Sequence, residues 1–251
     1  MKQYKNRDWL YKKYWNESLS ATQIAELYSC GETTIGKWLR KFSIPIRSHS
    51  EARHLARGNH CNLSEEAREW LDGEIIGDGC LWSCSKYSAR FAYGSKYKEY
   101  IQYVSDILKS FGIKQGGKII EHYYKEMDCY TYHYQSLSYE ELRSIRKRWY
   151  PENKKIIPRD LELTPLVCRQ WYIGDGCLHH QEKGRPHITL STEGFPISDV
   201  EWLVEQLNKL GFKSARQPSK NTTRISTYST KQFLDYIGKS PVDCYNYKFN
   251  Y

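Results

Sequence analysis

Ile76-Gly77-Asp78-Gly79-Cys80-Leu81 returns as Ile173-Gly174-Asp175-Gly176-Cys177-Leu178, 97 residues later. Each copy closes an apolar stretch of helical spacing and opens one of strand-like alternation. Two copies of one small unit imply a pseudo-twofold protein with an acidic residue from each copy at its axis. Paired carboxylates at an interface can bind a divalent metal. The chain around them is basic, and the combination points to nucleic-acid cleavage. A single Gly-Asp-Gly would read as a helix C-cap and a surface turn; the duplication reverses that reading.

Upstream of the first copy, Ser64 is an N-cap, and Glu65 and Glu66 suit the helix dipole. Trp70, Leu71 and Ile75 follow. Gly73 and Gly77 are four apart, hence on one face, and allow a second helix to approach closely. The second copy begins at Thr164-Pro165, a cap followed by proline at the first helical position. Beyond each copy the periodicity repeats one order. The first half predicts strands at 80–87 and 89–94, a helix at 97–111, strands at 118–124 and 129–136, and a helix at 138–149. The second predicts strands at 177–182 and 186–192, a helix at 198–210, strands at 213–217 and 222–228, and a helix at 230–238. The fold class is α+β, with αββαββα occurring twice.

The 251 residues carry a net charge of +9. The first 60 hold eleven Lys/Arg against five Asp/Glu, so the basic excess is concentrated there. That distribution suits a separate electrostatic grip on phosphate. Within it, residues 8–16, Leu19–Leu27 and Glu32–Phe42 predict three helices. Ser20 and Gln23 sit at capping-box positions, and a turn covers Tyr28–Gly31. This resembles a helix-turn-helix, with Ala25 at the helix contact, Ile35 and Trp38 in the core, and Ser29 where such turns often have glycine. The third helix would then enter the major groove, presenting Thr33, Thr34, Lys37, Arg40 and Lys41 to bases or phosphates. A three-helix protein-interaction module with a solvated basic face is the alternative. Residues 43–63 read as a linker in which Pro45 stops the helix and Arg47, Arg53, His54 and Arg57 supply charge, either along a minor groove or as a solvated tether.

No apolar run of about 18 residues exists to span a membrane, and no secretory h-region follows the first lysines. Eight scattered cysteines without a C-x-x-C pair predict free thiols in a reducing compartment inside the cell. The 22 tyrosines read as half-buried sheet residues, some with hydroxyls available to a nucleic-acid backbone.

Leu71-Asp72-Gly73-Glu74-Ile75-Ile76-Gly77-Asp78-Gly79 resembles the motif of LAGLIDADG homing endonucleases. Trp149-Tyr150-Pro151-Glu152-Asn153-Lys154-Lys155-Ile156-Ile157-Pro158, running through Leu163–Leu166 into Trp171–Gly176, is similar to the linker and second motif of the single-chain, two-motif branch. The tail Tyr245-Asn246-Tyr247-Lys248 is also similar. The resemblance covers residues 64–251, and it divides the chain into a helix-turn-helix unit at 1–58 and subdomains at 64–158 and 159–251. Asp72 and Glu74 depart from the small or apolar residues of the family motif. Gln170 stands where Gly73 has its counterpart, which predicts an asymmetric helix contact.

The resemblance implies a monomer that binds double-stranded DNA under a saddle of two sheets and makes a site-specific, staggered double-strand cut. It implies Asp78 and Asp175 as catalytic metal ligands, with the backbone carbonyls of Gly77 and Gly174 beside them. Two or more Mg²⁺ ions, for which Mn²⁺ substitutes, would polarise the phosphates and stabilise the leaving oxygen. Strand positions expected at DNA are Lys86, Ser88, Arg90, Lys118 and His122 in the first half. In the second they are His179, Gln181, Lys183, Arg185, Arg216 and Arg224. Lys231 is the expected assisting lysine. The absence of splicing-type ends predicts a free-standing or intron-encoded protein. Two readings stay open beside this one: a transcription regulator on a non-catalytic scaffold, and an intron-RNA maturase.

Overall fold

The computed structural model describes residues 2–48, 51–52, 59–126, 128–180 and 185–251. The chain divides into two compact units, Met1–Asn59 and His60–Tyr251.

In the first unit, α1 (Arg7–Tyr11) continues as one wider turn over Lys12–Asn16, and α2 (Ala21–Glu26) and α3 (Glu32–Lys41) follow. The capping box at α2 is formed: Gln23 N donates to Ser20 Oγ (3.1 Å), and Ser20 N donates to Gln23 Oε1 (2.8 Å). Ser29 has φ +47°, the left-handed conformation that explains why such turns favour glycine. Tyr4, Leu10, Tyr14, Ile24, Ala25, Ile35, Leu39 and Ile44 close a core of their own. One residue assigned to the linker belongs to this core. Arg47 is buried; it donates to the carbonyls of Leu19 (2.9 Å) and Tyr14 and lies 4.1 Å over the Tyr14 ring. It pins the chain after α3 rather than offering charge to a partner. Arg53, His54 and Arg57 lie outside the described residues.

The second unit repeats one pattern. The first half runs α4 (Glu65–Ile76), β1 (Cys80–Ser83), β2 (Ala89–Ser95), α5 (Lys98–Ser110), β3 (Ile120–Tyr124), β4 (Cys129–Gln135) and α6 (Glu140–Trp149). The second runs α7 (Pro165–Asp175), β5 (Gly176–His179), β6 (His187–Leu190), α8 (Ile197–Lys209), β7 (Ser214–Gln217), β8 (Thr222–Ile225) and α9 (Thr230–Ile237), with a final 3₁₀ segment at Asp243–Lys248. Ser64 and Thr164 cap the motif helices, accepting from Ala67 N and Val167 N. Gly112 and Gly211 end α5 and α8 at φ +79° and +90°, conformations that a side chain would strain.

Both sheets are antiparallel, ordered β1-β2-β4-β3 and β5-β6-β8-β7. Alternation decides which face is which. On β2, Ala89, Phe91 and Tyr93 are buried beneath the helices. Register then places Trp82, Arg90, His122 and His133 on the opposite face. The same argument puts Ile188, Leu190 and Ile225 inside the second half, and His179, His187, Thr189 and Arg224 on its outer face. One core joins the two halves around Trp70, Trp149 and Trp171. Among the described residues no helix is long and apolar enough to cross a membrane.

Candidate functional site

The site is built where α4 and α7 cross. A β-carbon on Gly73 would lie 2.8 Å from both the Val167 carbonyl oxygen and the Gln170 β-carbon. Glycine alone permits that approach, and the Gly73–Gln170 contact is asymmetric. Further along, a β-carbon on Gly174 would lie 3.4 Å from the Gly77 α-carbon, 3.1 Å from the Asp78 amide and 3.4 Å from Asp78 Oδ2. The crossing therefore sets the Asp78 carboxylate against the residue preceding Asp175.

The two copies end differently. α4 stops at Ile76, leaving Asp78 exposed on the turn, whereas α7 continues through Gly174 and Asp175. Burial, then the charge of Asp78, pushes the Asp175 carboxyl up to about 7, against the opposing pull of Lys155 and Lys248. Tyr93 approaches from β2, its hydroxyl 3.4 Å from Asp78 Oδ2.

Two lysines complete the centre, and neither is Lys231. Lys155 Nζ donates to Gly77 O (3.2 Å). Lys248 Nζ donates to Ile173 O (2.5 Å) and Gly174 O (3.2 Å). Burial lowers the pKa of both, and the two motif aspartates work against that lowering. Lys231 is instead exposed on α9 and paired with Asp235 at 2.7 Å. Position at the start of the last helix suggested it, but an i,i+4 carboxylate on the same helix holds it. A signal for this pair was present: Asn153-Lys154-Lys155 and Asn246-Tyr247-Lys248 share an Asn-x-Lys spacing at the end of each half. The Gly77 and Gly174 carbonyls, assigned to metal from the sequence, accept these ammonium groups, each keeping a second lone pair.

Among the described residues, no three His, Cys, Asp or Glu side chains cluster as a metal site. Two carboxylates nevertheless suit Mg²⁺, which is held by one or two carboxylates while water and substrate phosphates complete its shell. A cavity of about 190 Å³ lies between Lys155, Asp175, Ser191 and Glu193, on the Asp175 side of the pair.

One turn behind Asp78, Glu74 is fully buried. Its Oε1 accepts from the Tyr100 hydroxyl (2.6 Å) and from Gln170 Nε2 (2.6 Å). Burial pushes its carboxyl up to about 8 despite those bonds. Asp72, the other departure from the motif, accepts from Arg148 NH1 (2.7 and 2.8 Å) and from Trp149 Nε1 (2.6 Å), tying α4 to α6.

Of the residues expected at a partner, Arg90 and His122 lie on the outer face of the first sheet, and His179 and Arg224 on that of the second. Lys118 and Arg185 are exposed just ahead of β3 and β6. Lys86 is exposed in the β1–β2 turn, its Nζ 4.8 Å over the Tyr87 ring. Ser88 belongs to the same turn, where its hydroxyl lies 3.2 Å from Ser85 Oγ. Arg216 is a correction. Its parity puts it on the helix side of β7, where it pairs with Glu201 of α8 (3.6 Å). Gln181 and Lys183 lie outside the described residues. The sequence reading missed Trp82, His133 and His187 on the outer faces; strand register was the signal that would have found them. In the first unit Thr33, Lys37, Arg40 and Lys41 are exposed on α3 and Thr34 is half-buried.

Two helices crossing at a pair of carboxylates, each leading into a four-stranded sheet with one face turned away from the helices, define the two-motif endonuclease fold. Residues 68–233 match the profile of the LAGLIDADG DNA endonuclease family, and the chain belongs to that family. It is 31% identical over 230 residues to the uncharacterised protein MJ1098 of Methanocaldococcus jannaschii, spanning 89% of this chain and 86% of that protein. It is 24% identical over 198 residues to the cytochrome b mRNA maturase bI2 of Debaryomyces hansenii, covering 70% and 69%. Its fold matches the homing endonuclease I-WcaI, solved bound to its DNA recognition sequence, at a TM-score of 0.68 and 19% identity, over 84% of this chain and 98% of that one.

Proposed function

We propose that this chain is a site-specific DNA endonuclease that makes a metal-dependent, staggered cut through both strands. The observation that carries this reading is the meeting of Asp78 and Asp175 at the α4–α7 crossing, with one half-buried lysine on the carbonyl at the end of each motif. A regulator has no need of two carboxylates facing phosphates, since they would only repel them.

Asp78 and Asp175 would hold Mg²⁺, which bound there would supply Lewis-acid activation of the phosphate and of water. Lys155 and Lys248, anchored on the carbonyls of Gly77 and Gly174, hold a donor and a positive charge beside each carboxylate. The outer faces of the two sheets take the duplex, and one chain carrying both motifs acts as a monomer. α3 of the first unit lengthens the recognised site as a helix-turn-helix reader, with Thr33, Thr34, Lys37, Arg40 and Lys41 toward DNA.

Cleavage of a randomised duplex library in Mg²⁺, against an EDTA control, tests the proposal; sequence-specific staggered ends are expected. Asp78→Asn or Asp175→Asn should abolish double-strand cutting while binding stays within a few-fold. Normal cutting of both strands by either variant would sink the assignment. The maturase relative gives an RNA-splicing role a specific footing, and structured RNA outcompeting the selected duplex would favour it.

A further inference from the structure

The repeat that aligns Asp78 with Asp175 aligns Trp82 with His179 and Arg90 with His187, each 97 residues apart. In the first half Trp82 and Arg90 are direct cross-strand partners; in the second, His179 and His187 are. Each pair stands on the outer face of its sheet, beginning four residues beyond its motif aspartate. At one location relative to the two centres, one half carries a permanent cation beside an exposed indole and the other carries two imidazoles.

On this face His179 is exposed and His187 half-buried. The His179 and His187 rings stack at 4.8 Å with 15° between planes. His187 Nδ1 is buried without a hydrogen-bond partner, and so is Arg90 Nε at the matching position. Besides these two histidines, the outer face of β5, β6, β7 and β8 carries Cys177 and Arg224 as its ionisable groups; β7 contributes Ala215 and Gln217. Arg185 and Lys213 are exposed just ahead of β6 and β7. No carboxylate stands on that face of these strands. Partial burial, then Arg224, then His179 lower the pKa of His187, which favours its neutral ring in the free protein. An acceptor of DNA, whether a phosphate oxygen or guanine O6/N7, supplies the missing counter-group.

We propose that His179 and His187 form a proton-switched DNA contact in the second half of the site, while Trp82 and Arg90 form a pH-independent one in the first, so that protonation tightens the grip on one half-site only. This rests on the DNA-endonuclease reading. Binding of an acceptor raises the imidazole pKa, so the added affinity is complete below the free pKa and disappears as pH rises through the bound one.

The test uses the full chain and the duplex recovered from the library, without Mg²⁺, at constant ionic strength. Affinity should be about three- to fivefold tighter at pH 6 than at pH 8, the part reached at pH 6 of the tenfold change expected when binding raises one imidazole by about one pKa unit. Calorimetry in buffers of different ionisation enthalpy should show proton uptake. Asp175 titrates in the same window, so the variants isolate the pair. His187→Gln should lose most of the dependence. The double variant His179→Trp/His187→Arg, which installs the first half's pair, should bind with affinity independent of pH apart from the Asp175 contribution. Selection at both pH values separates the sources: a guanine preference present only at pH 6 marks a base contact, and an unchanged consensus with weaker binding at pH 8 marks a phosphate. Undiminished pH dependence in both variants overturns the proposal. Failure to recover any bound duplex overturns the DNA reading itself.

Discussion

At the scale of single residues, Glu74 is where this chain departs most from an apolar helix crossing. Its carboxyl is enclosed by Tyr100 and Gln170 and pushed up to about 8, so it stays a neutral acid at pH 7. An unfolded chain ionises the same group near 4.5. The stability it contributes is therefore complete below about pH 4.5 and lost as pH rises through about 8, a swing of order 5 kcal/mol by linkage. Glu74→Gln keeps an acceptor for both donors and removes the titration. Denaturant unfolding at pH 5 and pH 8 should show the variant gaining roughly 2–4 kcal/mol on the parent between those values. Equal slopes with pH would mean that Glu74 ionises freely in the fold. Lys155 and Lys248 make the second prediction at this scale. Replacing either with Met keeps the packing and removes the charge. Nicking of one strand should slow by about a hundredfold, the usual cost of losing one transition-state donor, with duplex binding changed only a few-fold. Strand-resolved cleavage assays read this directly, and an equal effect on both strands would deny each lysine its own centre.

At the scale of elements, the α4–α7 crossing depends on Gly73. Gly73→Ala places a methyl 2.8 Å from a backbone carbonyl on α7, which cannot rotate away. Overpacking of this kind costs about 1–3 kcal/mol, and because Asp78 and Asp175 are positioned by the same contact, cutting should fall more than stability does. A thermal melt paired with single-turnover cleavage checks both; unchanged cutting would show that the crossing tolerates a wider spacing. Elements also show where sequence patterns are legible. Ala89-Arg90-Phe91-Ala92-Tyr93 alternates cleanly enough to place Arg90 on the outer face. Ser214-Ala215-Arg216-Gln217 is a four-residue edge strand with no large apolar side chain to declare its inner face. Register with β8 and the Glu201 pair settle Arg216, and neither is local information. The lysines at the motif carbonyls were hidden for a similar reason. Lys155 and Lys248 reach carbonyls 78 and 74 residues away in sequence, whereas the pairing that occupies Lys231 lies within a single helix turn.

At the scale of the whole chain, the internal repeat made the second unit legible because one helix crossing reuses the same glycines and carboxylates from both halves. The first unit carried a different kind of signal: caps, a turn and a basic excess, with no repeat to cross-check them. Its core closes on itself through Tyr4, Tyr14, Ile24, Ile35, Leu39 and Ile44. The second unit has its own core around Trp70, Trp149 and Trp171. Neither core needs residues of the other, so a chain beginning at His60 should fold and retain both motif aspartates with their lysines. It should lose the cations of α3. Lys37, Arg40 and Lys41 are exposed and, in the helix-turn-helix reading, each neutralises a phosphate. Each such contact contributes about 0.9 to the slope of log affinity against log salt. Removing residues 1–59 should therefore reduce that slope by about 2–3, shorten the footprint on the recovered duplex at one end, and leave the cut positions and single-turnover rate on saturating duplex within a few-fold. Footprinting and salt titration of the two chains side by side decide the matter. A shorter footprint with unchanged cut positions assigns the first unit to target recognition. An unchanged footprint and slope would take α3 off the DNA and make its basic face a surface for some other partner.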